Sequence, residues 1–269
     1  MALESTASIF GISLYAADHS DAFVFEYLHS LARPILRPQP SMAGSTPLSV
    51  VGDCVLSFGM LEGNAVVTAT RCVYDPQSPR FPRSFASNGS VARDLAIVCN
   101  QSEAQILSGS EDIIEAGRKL LSNCGVVVVK CGARGCLVMK ENGMVEVPAF
   151  RAAPESLIGS GDLFTAMFAY QWLLVGLDPE AAATSASQAT AQYCATRVLP
   201  TQWPIAVEYA QAVTTKRGTR SIYLAGPFFS PEQLWMIEET RHHLEQQGLS
   251  VFSPYHDVGL GPPKRGCSP

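Results

Sequence analysis

Residues 156–168 read SLIGSGDLFTAMF, and Gly159, Ser160, Gly161 and Asp162 stand directly ahead of a long apolar run over residues 163–177. Glycines allow a tight turn and a close backbone approach. A helix beginning here presents unpaired N–H groups and the positive end of its dipole to an anion. Asp162 then falls in the first turn, beside that anion site. A carboxylate next to bound phosphate is placed to take the proton of a substrate hydroxyl. A plain helix N-terminus, with an acidic side chain favoured by the dipole alone, fits the same residues. The apolar run contains Thr165 and Gln171 and falls short of the ~20 residues of a bilayer span. It is expected as a buried helix.

Upstream, residues 125–130 read GVVVVK, a strand buried on both faces with Lys130 at its C-terminal end, followed by Gly132. Residues 136–140 and 144–148, joined at Asn142-Gly143, read as a hairpin. Residues 95–99, LAIVC, form another buried strand, ending at Asn100 and Glu103. Polar groups at the C-terminal edge of a strand stand where α/β sheets place ligands, although Asn100 also suits a simple helix cap. Residues 111–123 are expected as a helix, as are 179–196 and 204–214. Earlier in the chain, 8–16 reads as a strand, 22–31 as strand or short helix, and 33–47 as loop. Residues 53–59 and 65–74 read as strands joined at Gly63. Alternation of strands and helices implies an open, largely parallel α/β sheet.

The chain has 269 residues, 47% hydrophobic and 16% charged, with net charge −5. That suits one α/β domain, or one domain plus a fragment. No basic stripe offsets the acidic balance, which argues against nucleic-acid binding. The eight cysteines are scattered, without a C-x-x-C pair, and are expected as reduced thiols of a cytoplasmic protein. The N-terminal MALESTASIF lacks a basic region and carries Glu4, so no secretory signal is expected.

The GSGD motif, the apolar helix after it, and the Ala- and Ser-rich segment 178–197 resemble the second signature of the pfkB carbohydrate kinases, the ribokinase-like family. The resemblance spans roughly residues 9–214 and is strongest over 73–197. It implies a three-layer α/β/α fold with a mostly parallel sheet, and transfer of the γ-phosphoryl of ATP to a sugar or nucleoside hydroxyl. Asp162 would be the base, and Gly159, Ser160 and Gly161 the anion hole. Asn100 and Glu103 match an N-x-x-E motif that orders Mg2+ and the ATP phosphates, usually through water, with Glu103 as the metal-side carboxylate. Lys130 and Gly132 would lie near the nucleotide phosphates. The family often carries Asp where this chain has Ser156, a position that helps hold a monovalent cation in some members, so cation dependence is left open. The resemblance implies a small-molecule partner, neither nucleic acid nor membrane, and a homodimer as the candidate assembly.

After a basic linker at 216–220, residues 221–225, 231–247 and 249–253 outline one βαβ unit. SIYLAGPFFSPEQ followed by GLSVFSP resembles the start of the nucleoside 2-deoxyribosyltransferase family, as a partial flavodoxin-like unit. Tyr223, Gly226 and Pro227 would help form a nucleoside pocket. The expected division is therefore 1–215, kinase-like, and 219–269, deoxyribosyltransferase-like. No Gly-Gly sugar-binding segment is recognisable before Ser41, and the carboxylate nucleophile of the second family would fall beyond Pro269. Three functions follow from these resemblances. They are a Mg2+-ATP-dependent kinase of a sugar or nucleoside, a nucleotide-binding module without catalysis, and deoxyribosyl transfer requiring residues outside this chain.

Overall fold

The computed structural model describes residues 2–17, 23–26, 35–37, 48–60, 63, 65–78, 81–152, 158–200, 211–213, 222–246 and 249–259. The chain divides into two compact units. One comprises Met1–Val127, Met139–Glu141 and Trp172–Gly176, the other Val128–Val138, Asn142–Gln171 and Leu177–Pro269.

The expected strand at 8–16 is not formed. Helix α1 (Ala2–Ile9) ends at Gly11, whose φ is +64°, and an irregular segment follows. Ile9, Phe10 and Tyr15 are 71–80% exposed. Their β-favouring side chains find no sheet to pack on among the described residues, and strand preference is largely a preference for such a surface. Strands β1 (Val24–Glu26) and β2 (Ile35–Arg37) pair antiparallel, with Arg37 Nε 2.9 Å from Glu26 Oε2. The segment expected as loop at 33–47 thus contains a short strand.

Strands β3 (Leu48–Phe58), β4 (Ala65–Asp75) and β5 (Val91–Asn100) pair in parallel. The register of β3 on β4 skips Asp53 and Thr70, where Thr70 Oγ1 donates to Asp53 Oδ1 at 3.2 Å. Val73, Ala96, Val98 and Cys99 are fully buried, as a parallel sheet covered on both faces requires. Helix α2 (Gln101–Ser108) starts at Asn100 and ends on Gly109 in the left-handed conformation. Helix α3 (Ile113–Leu121) is capped by Asp112, whose Oδ1 accepts from Glu115 N at 2.8 Å. Gly117 leaves room for the Met139 thioether, which a Cβ there would strike.

Strand β6 (Val126–Lys130) buries all four valines. Each buried valine contributes about 1.5–3 kcal/mol relative to exposure, so β6 is a firm base for Lys130 at its end. β7 (Cys136–Lys140) and β8 (Gly143–Val147) flank a two-residue turn, as a hairpin should. Six strands hydrogen-bond in the order β3-β4-β5-β6-β7-β8. The α/β architecture read from the sequence is therefore the one observed.

Helix α4 (Ser160–Ala169) does not run on uniformly to residue 177. It widens into a π-helical stretch, Tyr170–Val175, and stops at Gly176, where φ is +81°. Arg71 meets the end of this stretch, where the last carbonyls lack helical partners. Its Nη1 donates to the Leu173 carbonyl at 3.2 Å, and its guanidinium lies 4.4 Å from the Trp172 ring centroid. Helix α5 (Pro179–Thr196) begins with Pro at its first turn and an Asp178 cap, and buries Ala182, Ala183, Ala186 and Ala189 completely.

Of the helix expected at 204–214, residues 204–210 and 214 lie outside the described residues. Residues 211–213 are extended. Ala212 bridges Phe150 antiparallel, and Val213 N donates to Ala149 O at 2.7 Å. Backbone pairing with 149–151 thus overrides the helical preference of Gln and Ala. Strands β9 (Ile222–Tyr223) and β10 (Val251–Phe252) pair in parallel across helix α6 (Pro231–Gln246), which completes the expected βαβ unit. A short helix α7 (Pro254–Asp257) follows. Among the described residues no helix is long and apolar enough to cross a membrane.

Candidate anion site at the start of helix α4

Strand β6 and helix α4 bring together two motifs thirty residues apart in sequence. Lys130 Nζ donates to Thr165 Oγ1 at 3.2 Å, and Thr165 Oγ1 donates to the Gly161 carbonyl at 3.1 Å. A Cβ on Gly161 would lie 3.7 Å from Lys130 Nζ. An ammonium is thus held beside the first turn of a helix, where the dipole is already positive. The ammonium and the helix dipole both favour an anion at this turn. Asp162 stands in the same turn and is exposed. Thr165 was not among the sequence candidates. Its signal was a hydroxyl inside an apolar helix, four residues after Gly161, and it is fully buried.

Gly159 occupies the N-cap position with φ +79° and ψ 0°, and no side chain caps the helix. The left-handed conformation suits glycine. Space is limited as well, because a Cβ would come 3.1 Å from Tyr193 Oη. The entry to the loop is held from helix α5. Arg197 Nη1 donates to the Ile158 carbonyl at 2.6 Å, Tyr193 Oη donates to it at 3.3 Å, and the Arg197 guanidinium lies 4.6 Å from the Tyr193 ring centroid. Arg197 itself has φ +59°, a left-handed conformation that costs an L-residue roughly 1–2 kcal/mol. Sequence reading missed both residues, because their partner lies 35 to 39 positions away. Ser156 lies outside the described residues.

Gly132 opens a tight 3-10 turn, Gly132–Arg134, with φ +59°. Gly135 closes it against the Val147 carbonyl, which leaves no room for a Cβ. Cys131 and Cys136 flank this turn, and burial pushes both thiols up, Cys136 to about 12. Among the described residues no group of three His, Cys, Asp or Glu could hold a metal ion.

In the other unit, Asn100 and Glu103 close on each other. Glu103 N donates to Asn100 Oδ1 at 2.9 Å, and Asn100 N donates to Glu103 Oε2 at 2.8 Å. This is a reciprocal capping box, with Glu103 only 3% exposed. Nearby, burial and then the Asp75 carboxylate push the Tyr74 phenol up to about 12. Asp75 is itself buried at the end of β4. A shallow open cleft in this unit is lined by Phe58, Gly59, Tyr74, Arg83 and Asn88. Its polar groups are turned inward on the protein, with Tyr74 Oη donating to Arg83 O at 2.9 Å and Asn88 Nδ2 to Ala65 O at 2.8 Å.

In the C-terminal βαβ segment, Tyr223 is 63% exposed and stacks on Phe252 with centroids 5.7 Å apart. Gly226 lies under Ile237, where a Cβ would overlap the Ile237 side chain. Pro227 follows it in the same irregular segment.

Residues 92–206 match the pfkB family carbohydrate kinase profile. This range includes Asn100, Glu103, Lys130 and the whole GSGD loop. Deoxyribokinases of Salmonella typhi and Salmonella typhimurium are each 36% identical over 91 residues, or 32% of this chain. The chain spans 29% of the length of these relatives. Among solved structures, a fructokinase from Vibrio cholerae, crystallised with fructose, ADP and calcium, is 17% identical, with a TM-score of 0.51. That likeness covers 74% of this chain and 77% of the fructokinase. It establishes a ribokinase-like α/β fold for this protein.

Proposed function

We propose that this chain is an ATP-dependent kinase that phosphorylates a hydroxyl of a small sugar or nucleoside. The observation that carries the reading is the ammonium of Lys130, tied through Thr165 to the first turn of helix α4, where Asp162 stands. The match of residues 92–206 to carbohydrate kinases supports it.

In this reading the acceptor oxygen attacks the γ-phosphorus of ATP, the bond from that phosphorus to the bridging oxygen breaks, and ADP leaves. Asp162 accepts the hydroxyl proton. Backbone N–H groups of Gly159, Ser160 and Gly161 bind the phosphoryl oxygens, and Lys130 adds a positive charge beside them, with Gly132 allowing close backbone approach. Catalysis of this type is mainly positioning and electrostatic stabilisation.

Mg2+ bound to the nucleotide would neutralise phosphate charge. The fit of Asn100 and Glu103 to inner-sphere ligation is poor, because the capping box already engages Asn100 Oδ1 and one Glu103 oxygen. An outer-sphere role through water suits them better.

The acceptor to test first is 2-deoxyribose. The deoxyribokinase relatives and the reading of residues 219–269 as the beginning of a nucleoside deoxyribosyltransferase-like unit both favour it. In that unit exposed Tyr223, stacked on Phe252, and the Gly226-Pro227 turn would form part of a nucleoside platform.

The test is ADP release by this chain with MgATP and a panel of 2-deoxyribose, ribose, fructose and nucleosides, beside Asp162→Asn. Turnover that falls at least a hundredfold in the variant, with ATP affinity kept, supports the assignment. Equal turnover in the two proteins removes Asp162 from the mechanism.

A further inference from the structure

The Ile158–Gly159 peptide is gripped on its carbonyl side by two residues from the end of helix α5. Arg197 Nη1 reaches the Ile158 oxygen at 2.6 Å and Tyr193 Oη at 3.3 Å. The shorter contact is the charged one, and charge-assisted hydrogen bonds are both shorter and stronger. Arg197 is steadied in turn. Its guanidinium stacks 4.6 Å from the Tyr193 ring, and its backbone N–H donates to Tyr193 O at 2.7 Å while its φ is +59°. The chain therefore turns sharply at Arg197, in a conformation few L-residues adopt, and does so where its side chain meets Ile158.

A peptide group is planar and trans, so its carbonyl and its N–H point in opposite directions. Holding the Ile158 oxygen against helix α5 turns the Gly159 N–H away from that helix. A positive charge on the carbonyl oxygen also draws electron density from the amide and strengthens its N–H as a donor.

We infer that Arg197 is a positioning residue for the anion hole. It aims and strengthens the Gly159 N–H toward the transferring phosphoryl group, although it touches no substrate itself. The inference rests on the kinase reading for the identity of the anion, and on the Ile158 contact for the geometry. Tyr193 keeps the guanidinium in place, and its hydroxyl is the weaker of the two grips. An interaction that acts through a donor of this kind strengthens as charge develops on the phosphoryl oxygens, so it favours the transition state over bound ATP.

The test compares binding of two probes to the full chain. One is ADP with aluminium tetrafluoride, which mimics the phosphoryl in flight, and the other is a non-hydrolysable ATP analogue. The variants are Arg197→Met and Arg197→Lys. Removing a whole oxyanion donor costs about 100- to 1000-fold, and misaiming one should cost less. Arg197→Met should lose about tenfold in affinity for the aluminium fluoride complex and under twofold for the ATP analogue, with Arg197→Lys in between. The Gly159 amide resonance should shift in Arg197→Met and return partway in Arg197→Lys. Equal losses for both probes, or an unmoved Gly159 amide in both variants, would overturn the inference. Failure of the unaltered chain to bind either nucleotide probe would sink the kinase reading instead, and the amide measurement still decides the role of Arg197.

Discussion

Lys130 Nζ donates to Thr165 Oγ1 at 3.2 Å, so the end of one strand is tied to the first turn of a helix by a threonine that is fully buried. The hydroxyl passes the interaction on to the Gly161 carbonyl at 3.1 Å. Thr165→Val keeps the shape and removes the hydroxyl. Hydrogen bonds to charged groups are worth about 1.5–3 kcal/mol, and part of this is recovered by water around the half-buried lysine. MgATP affinity measured by calorimetry should fall about fivefold, and Thr165→Ser should restore most of it. Equal affinity in Thr165→Val would mean that Lys130 is not held for the nucleotide.

Gly159→Ala should be destabilising and inactivating together. The φ of +79° costs an alanine roughly 1–2 kcal/mol. The new Cβ would also stand 3.1 Å from Tyr193 Oη. Combining it with Tyr193→Phe should recover part of the stability but little of the activity, since the backbone strain stays. Urea melts and turnover, read side by side, separate the two effects.

The capping box at Asn100 and Glu103 predicts coupling. Asn100→Ala should cost about 1 kcal/mol of stability, as cap deletions do. Glu103→Ala removes the acceptor of the Asn100 N–H and should cost a similar amount. The double variant should cost less than the two added together, because either change alone opens the box. Strict additivity in urea denaturation would show that the reciprocal bonds are not made in solution.

Alkaline pH should weaken the fold. Burial pushes the Cys72, Cys124 and Cys136 thiols up to about 12, against an ordinary value of 9.0. Above pH 9 the unfolded chain therefore releases these protons while the folded chain keeps them. The unfolded state then binds fewer protons, so stability falls as pH rises from 9 toward 12, and is fully present below 9. Tyr74 adds to the same fall from pH 10 upward. Urea midpoints at pH 8, 9, 10 and 11 should be level at first and then decline, with a shallower decline in Cys72→Val. Exposed Cys54 should be alkylated long before the buried thiols at pH 8.

Much of the fold was legible in short patterns. The four valines of β6, the turn between β7 and β8, and the Asp178-Pro179 start of α5 each carry their own signal within a few residues. Local sterics and caps decide them, and the structure follows them closely. The Gly-rich start of α4 was legible for the same reason, since a positive-φ turn leaves a glycine behind. Residues 8–16 were misread because Ile, Phe and Tyr favour strands only where a sheet receives them. Residues 211–213 were misread because their backbone pairs with residues about sixty positions earlier.

The sequence alone determined that a glycine turn introduces an apolar helix bearing Asp162, and that valine-rich strand β6 ends at Lys130, because propensity and periodicity act over neighbouring residues. Only the tertiary structure decided that Lys130 meets that helix through Thr165, that Arg197 and Tyr193 hold the Ile158 carbonyl, and that Arg71 caps the helix end. Each of these contacts joins groups between 35 and 102 positions apart along the chain. Nothing in local spacing encodes such a pairing. It exists once burial of the valine and alanine faces has fixed the strands and helices, and directional hydrogen bonds then select among the polar groups left within reach.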